Sequence, residues 1–287
     1  MHHNITALTD HETGAEVRGL DLSQRIDDSL RREINQALAR YHVLVFREQK
    51  LSPPEFAQAA RNFGEIMLQQ DRAKWVPGHP EISHLMPTEI EPGRYLIDGE
   101  GFHTDHSWDP CPPKATALHP VALPDTGGDT QFVNMHMAYD DLPQDTKRRI
   151  DGLRAMHTYS SKHRTREILA LSEESAKALP PPSSHALVRT HPDNGRKFLY
   201  LNPVRMESIV GMDDAAALAL IAELMAHATR QKFEYRQKWQ PGDMVIWDNR
   251  SVMHKANGDY DMTKRHMYRV MVKGDAAEER ALNSATG

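Results

Sequence analysis

A chain of 287 residues, 39% hydrophobic and 26% charged, can bury the core of one domain without disulfide support. Its 35 Lys and Arg against 40 Asp and Glu give a net charge of -5 with no long block of either sign, which argues against nucleic-acid or membrane partners and for a small molecule. The single cysteine, Cys111, excludes an intrachain disulfide and suits a reducing, cytoplasmic compartment, and no apolar run approaches the roughly 20 residues of a membrane helix.

In chain order, the start MHHNITALTD lacks the apolar region of a signal peptide, and GAEVRGLDL (14–22) alternates. Residues 29–40 predict a helix with Leu30, Ile34, Ala37 and Leu38 on one face, and HVLVFR (42–47) a buried strand. Ser52 followed by Pro53, Pro54 and Glu55 opens a second helix through residue 62. KATALHPVAL (114–123) has strand character, 125–128 is a turn, and TQFVNM (130–135) is a further strand before a helix near Met137. The stretch around 160–185, rich in charge, Ser and Pro, is a candidate insert or lid. The Asp193-Asn194-Gly195 turn between ALVRTHP and RKFLYLN predicts a hairpin, because Asn-Gly suits tight turns with positive φ. A helix over 213–228 precedes three β-like runs, FEYRQKW, GDMVIWDN and RHMYRVMVKGD. These elements imply a single domain over 1–287, an antiparallel β-sandwich or barrel flanked by helices.

Seventeen histidines are too many to single out by type, and most, such as His11, His79, His163 and His185, read as surface or structural groups. In GFHTDHSW, His103 and Asp105 are two apart, a spacing that on a strand turns both side chains to one face, where they can share a cation. His-x-Asp alone describes a hydrogen-bonded surface pair equally well. His254, in WDNRSVMHKA just after the apolar run MVIWDN, offers a third ligand. Two imidazoles and a carboxylate leave open positions on non-haem iron(II), yet zinc hydrolases use the same set with a bound water. Arg265 and Arg269, four apart in KRHMYRV, share a strand face and offer guanidinium forks to carboxylates, which favours the iron reading.

On these residues the chain resembles the taurine dioxygenase and chlorophenoxyacetate dioxygenase family of Fe(II)- and 2-oxoglutarate-dependent oxygenases, over nearly its whole length. The family order is His-x-Asp, a Thr or Ser about 25 residues on, a distal His, and an Arg 11 residues later; His103, Asp105, Thr130, His254 and Arg265 stand in that order here. LPDTGGDT, HPDNGRKFLYLN and GDMVIWDNRSVMH are further echoes.

The resemblance implies a mainly β fold with flanking helices, a double-stranded β-helix or jelly roll of the cupin kind. It implies Fe(II) on His103, Asp105 and His254, 2-oxoglutarate held by Thr130 and Arg265, and O2 as the oxidant. Succinate and CO2 would be products, and no catalytic residue beyond the metal centre is expected. Asp105, retained rather than replaced by a small residue, favours hydroxylation over halogenation. Hydroxylation beside a sulfonate, sulfate ester or aryloxy group would lead to cleavage of the carbon–heteroatom bond. Arg269 matches the family arginine for an anionic substrate head, with His106 bordering the same pocket. A homodimer or tetramer is in character for the family.

Gln69 and Arg72 stand where taurine dioxygenase has a histidine and a tyrosine, Gly99 where it has an asparagine, and Arg205 near an aromatic wall position, so taurine is not the expected substrate. Arg72, Lys74 and Arg205 could serve a more anionic or larger substrate, but each reads first as solvated surface charge. Trp108, Trp247 and Tyr268 read as packing residues, and Asp248 and Asn249 as groups that order the loop before His254. The competing readings are a zinc- or manganese-dependent hydrolase on a jelly roll, and a non-catalytic jelly-roll binding protein.

Overall fold

The strands Val43–Phe46 and Met244–Asp248 are buried at every position, which requires a sheet covered on both faces. In the computed structural model, which describes residues 3–69, 71–168 and 173–284, they pair antiparallel at the centre of an eight-stranded sheet. Its order is Asn4–Ala7, Ala15–Arg18, Val43–Phe46, Met244–Asp248, Ala115–Ala122, His266–Val272, His79–Leu85 and Trp75–Val76. Every pairing is antiparallel except that of Ala15–Arg18 with Val43–Phe46.

Strand alternation sorts this sheet's side chains into two cores. Leu44, Phe46, Ala115, Ala117, Met244 and Ile246 pack under Ile34 and Leu38 of the helix Asp28–Tyr41 and Phe56 of the helix Pro53–Ala60. Asp27 caps the first helix by accepting from the Leu30 N–H at 2.8 Å, and Ser52 and Glu55 form a capping box on the second. On the opposite face Val43, Val45, Val245 and Trp247 meet Phe132, Tyr235 and Val252. These come from a smaller sheet ordered Glu234–Gln237, Thr130–Asn134, Val252–Ala256. Its outer face, with Val133 and Met253, packs on Leu220 and Leu224 of the helix Asp214–Ala228. Helices, large sheet, small sheet and helix are thus stacked, and each fully buried Leu, Val or Phe in these layers contributes about 1.5–3 kcal/mol.

Two stretches read from the sequence take a specific form. The hairpin between Val188–Thr190 and Lys197–Leu199 forms, but its loop is 192–195, closed by the His191 N–H donating to the Arg196 carbonyl at 2.8 Å. Only Gly195 has positive φ, while Asn194 donates its amide to the Ala39 carbonyl. The stretch expected as an insert contains a helix, Glu173–Lys177, and a strand, Ser183–Ala186, that pairs with Arg154–His157; residues 169–172 lie outside the described residues.

Candidate active site

The strand Val252–Ala256 pairs with Thr130–Asn134, setting His254 opposite Phe132. Alternation turns Val252 toward the large sheet and Met253 toward the outer helix, so His254 faces the space between the sheets. His103 forms a single-residue bridge to it: the His103 N–H donates to the His254 carbonyl at 3.0 Å, and the His254 N–H to the His103 carbonyl at 2.8 Å. The imidazole centroids are 4.3 Å apart. Asp105 lies in the turn that follows, its Oδ1 3.6 Å from His103 Nε2 and 3.7 Å from His254 Nε2. A bridge and a turn, rather than the expected strand alternation, bring His103 and Asp105 to one side. The ligand atoms of the three residues lie within 4.8 Å of one another, a spacing one cation can fill.

The orientation of each ligand is fixed from behind. His103 Nδ1 is 3.0 Å from the Gly101 carbonyl, which places the proton there and leaves the lone pair on Nε2. Asp105 Oδ2 accepts the Thr116 hydroxyl at 2.6 Å; Asn249 donates to Thr116 Oγ1 at 2.7 Å, and the Trp247 indole donates to Asn249 Oδ1 at 2.8 Å. Oδ1 is therefore left for a metal. Burial opposes charge on Asp105, but His254, His103 and Arg269 outweigh it and hold the carboxyl well below the usual carboxylate range. Burial, with His103 beside it, pushes His254 down to about 3. An ionised carboxylate and a neutral imidazole are the states that metal ligation requires.

A second group of residues faces the same cavity. Thr130 opens its strand, and the Trp239 indole donates to its Oγ1 at 3.1 Å, which frees the hydroxyl proton for a ligand. Gly127 and Gly128, at φ 75° and 72°, wrap the preceding turn around Asp259, whose Oδ1 accepts the Gly128 N–H at 2.9 Å. Arg265 is buried with its Cζ 5.8 Å from the Tyr260 ring centroid; its Nε has no hydrogen-bond partner, and among the described residues it makes no ion pair. Arg269, on the strand His266–Val272, also has an unpartnered Nε, as does His106 at Nδ1. Burial, then Arg269, pushes His106 down to about 3. His103, Asp105, Thr130, His254, Arg265 and Arg269 all line this one cavity, with His106 beside them.

A sequence profile of the taurine catabolism dioxygenase TauD, TfdA family matches residues 4–271. The chain belongs to this family. The alpha-ketoglutarate-dependent 2,4-dichlorophenoxyacetate dioxygenase of Burkholderia sp. (strain RASC) is 34% identical over 270 residues, 88% of this chain and 89% of that one. The alpha-ketoglutarate-dependent sulfate ester dioxygenase of Pseudomonas putida is 31% identical over 277 residues, 91% and 87% of the two chains. The crystal structure of a taurine dioxygenase from Burkholderia xenovorans matches with a TM-score of 0.77 at 34% identity, covering 95% of this chain and 91% of that one. Membership in the TauD, TfdA family speaks against the hydrolase and binding-protein readings.

Further residues complete the walls of the cavity. Lys74 and Arg205, read from the sequence as solvated surface charge, line it instead. Arg205 donates to the Tyr159 carbonyl and lies 4.5 Å from that ring's centroid; burial lowers it to about 10, so it stays protonated at neutral pH. Arg72 does lie outside, over Trp75 and 3.5 Å from Glu174. Gln69 is buried away from the cavity, accepting from Ser83 Oγ at 3.2 Å. Gly99 lies on the wall at φ 90°, where a Cβ would come 3.2 Å from His103 Cε1.

Trp108 and Trp247 pack as expected but also contribute to the wall, 5.1 Å from the His106 ring and 4.6 Å from the His254 ring respectively. Tyr268 packs against the helix-covered core. Asp248 accepts from the Arg250 N–H and Nε at 2.9 Å, ordering the turn before His254. The same guanidinium reaches Asp193 at 2.6 Å and so fills the other His–Asp cluster, His191, Asp193 and Asp248. Sequence reasoning missed Thr116, Trp239 and Arg166. Only an inward-facing position on a strand marked Thr116, and nothing local marked the other two.

Proposed function

We propose that this chain is an Fe(II)- and 2-oxoglutarate-dependent dioxygenase that hydroxylates a small anionic organic substrate, a sulfonate, sulfate ester, aryloxyalkanoate or other carboxylate. The observation that carries the reading is Arg265, a buried guanidinium without an acidic partner among the described residues, facing the same cavity as a two-histidine, one-carboxylate cluster. A buried, unpaired cation is costly unless a ligand supplies the anion, and a dicarboxylate cosubstrate does so.

In this reading His103, Asp105 and His254 hold the iron, which when bound supplies the oxygen chemistry that converts 2-oxoglutarate to succinate and CO2. Thr130 donates its hydroxyl, and Arg265 its guanidinium, to the distal carboxylate of 2-oxoglutarate. Arg269 and His106 orient the anionic head of the substrate toward the metal. The neutral His106 can donate one hydrogen bond without adding charge. The low-polarity walls of Trp108, Trp247 and Leu118 limit water near the metal.

The layered sheets support a double-stranded β-helix, or jelly roll, as the finer description of the fold. A single domain over 1–287, with the segment around 160–185 acting as a lid over the cavity, a cytoplasmic location and a homodimer or tetramer complete the proposal. No helix among the described residues is long and apolar enough to cross a membrane.

The test is succinate release from 2-oxoglutarate with Fe(II) and air, across sulfonates, sulfate esters and aryloxyalkanoates. Succinate formed in step with substrate loss is the expected result. No succinate with any of these classes would remove the substrate assignment.

A further inference from the structure

The cavity holds more positive charge than iron, 2-oxoglutarate and a monoanionic substrate would use. Five cationic side chains line it, Lys74, Arg166, Arg205, Arg265 and Arg269, against three carboxylates, Asp71, Asp98 and Asp105. Lys74 is paired with Asp98. Asp105 faces the imidazoles, and under the proposed function its charge and the inner carboxylate of 2-oxoglutarate balance the iron. The outer carboxylate balances Arg265. Three guanidiniums then remain against Asp71, which caps a one-turn helix by accepting from the Ala73 N–H at 3.2 Å. Among the lining residues three minus one leaves two positive charges for the substrate; Glu100, which also acts on Arg166, is exposed and outside the lining.

The two sites are separable in the fold. Arg269 is on the strand His266–Val272 that also crosses the large sheet. Arg166 and Arg205 come from loops outside that sheet and line the cavity together with Tyr159. Arg205 is aligned by its bond to the Tyr159 carbonyl and by that ring. Arg166 lies against Gly101, where a Cβ would meet its Cδ at 3.7 Å. Its buried Nε has no hydrogen-bond partner, and among the described residues neither arginine makes an ion pair with a carboxylate. A buried donor without a partner in a cavity wall is a group that a ligand completes.

We infer that the substrate is an organic dianion, its first anionic group held by Arg269 and its second, a carboxylate or sulfonate, by Arg166 and Arg205. This rests on the proposed function for the metal and cosubstrate. Arg166 and Arg205 are then specificity-determining residues, which touch the substrate away from the reacting carbon. The Arg166, Arg205 and Arg269 guanidiniums are half-buried, so a second anion is screened less there than at an exposed surface and adds affinity.

The test uses the iron-loaded protein with 2-oxoglutarate under anaerobic conditions. Its visible absorption band is titrated with matched pairs: phenoxyacetate against 4-carboxyphenoxyacetate, and propanesulfonate against 3-sulfopropanoate. The expected result is at least tenfold tighter binding of the dianion in one pair or both. That ratio should fall to about one in Arg166→Gln and Arg205→Gln, and Arg166→Lys should recover part of it. Dianions that bind no better than their monoanionic partners, including a failure of all four to bind, would overturn the inference in the wild-type protein alone. The band forms before any substrate is added, so its absence would count against the 2-oxoglutarate reading instead.

Discussion

The two carboxylate oxygens of Asp105 have different surroundings, and Thr116 makes them different. By donating to Oδ2, it fixes which oxygen faces the two imidazoles. Thr116→Val should therefore weaken iron binding about 10- to 100-fold, the usual range for removing a group that orients a metal ligand. Thr116→Ser should retain binding, and an anaerobic iron titration of both variants checks the pair. At the other end of the cavity, Arg269→Ala should raise the substrate KM at least tenfold with a smaller change in kcat; an unchanged KM on every substrate would remove its assigned role. Six of the residues that meet here, His103, Asp105, Thr130, His254, Arg265 and Arg269, were legible because motif order and spacing mark them. Thr116, Trp239 and Arg166 were not. Their partners are 11 residues or more away in sequence, and no local pattern reveals which side chain a threonine or an arginine will face.

At the scale of elements, the Gly127-Gly128 turn joins the strand Ala115–Ala122 to Thr130 and touches the loop that leads to Arg265. A Cβ at Gly127 would come 2.2 Å from the Asp259 carbonyl oxygen, at a φ of 75° that L-residues rarely adopt. Gly127→Ala should cost on the order of 1–3 kcal/mol of stability. It should also raise the apparent Kd for 2-oxoglutarate, because Thr130 and Arg265 lose their common support. Thermal melting and 2-oxoglutarate titration measure the two effects, and an unchanged Kd with a lowered Tm would separate the turn from the site. The long apolar runs that form the sheet centre were readable as strands because burial on both faces writes itself into the sequence. His79–Leu85 was not: HPEISHL carries Pro80 and charge, and it becomes a strand only because His266–Val272 is there to pair with it. The hairpin at 193–195 was readable from Asn194-Gly195, but the Asn194 bond to the Ala39 carbonyl of a distant helix was not.

For the whole molecule, burial of imidazoles makes stability depend on pH. Burial pushes His106 and His254 down to about 3 and His136 to about 4, and it drives His42 and His157 well below their ordinary range. These groups stay neutral in the folded, metal-free protein but protonate near pH 6.5 once unfolded. The unfolded chain then binds more protons, so stability is full above about pH 6.5 and falls as the pH drops, by about 1.4 kcal/mol per unit for each imidazole. Asp105 and Asp248, held low in the folded state, add to the loss only below about pH 4. A total stability of about 5–15 kcal/mol would be exhausted before that point. The melting temperature of the metal-free protein should therefore fall steeply between pH 6.5 and 4.5, and a flat profile would contradict the buried, neutral assignment.

The stacked sheets hold two imidazoles and a carboxylate in one cavity with a guanidinium that needs an acid. Anaerobic addition of Fe(II) and then 2-oxoglutarate, followed by visible absorption, tests that most directly. A band is expected at one iron and one 2-oxoglutarate per chain, lost in His254→Ala and requiring far more 2-oxoglutarate in Arg265→Gln. No band in the wild-type protein, or an undiminished band in His254→Ala, would contradict it.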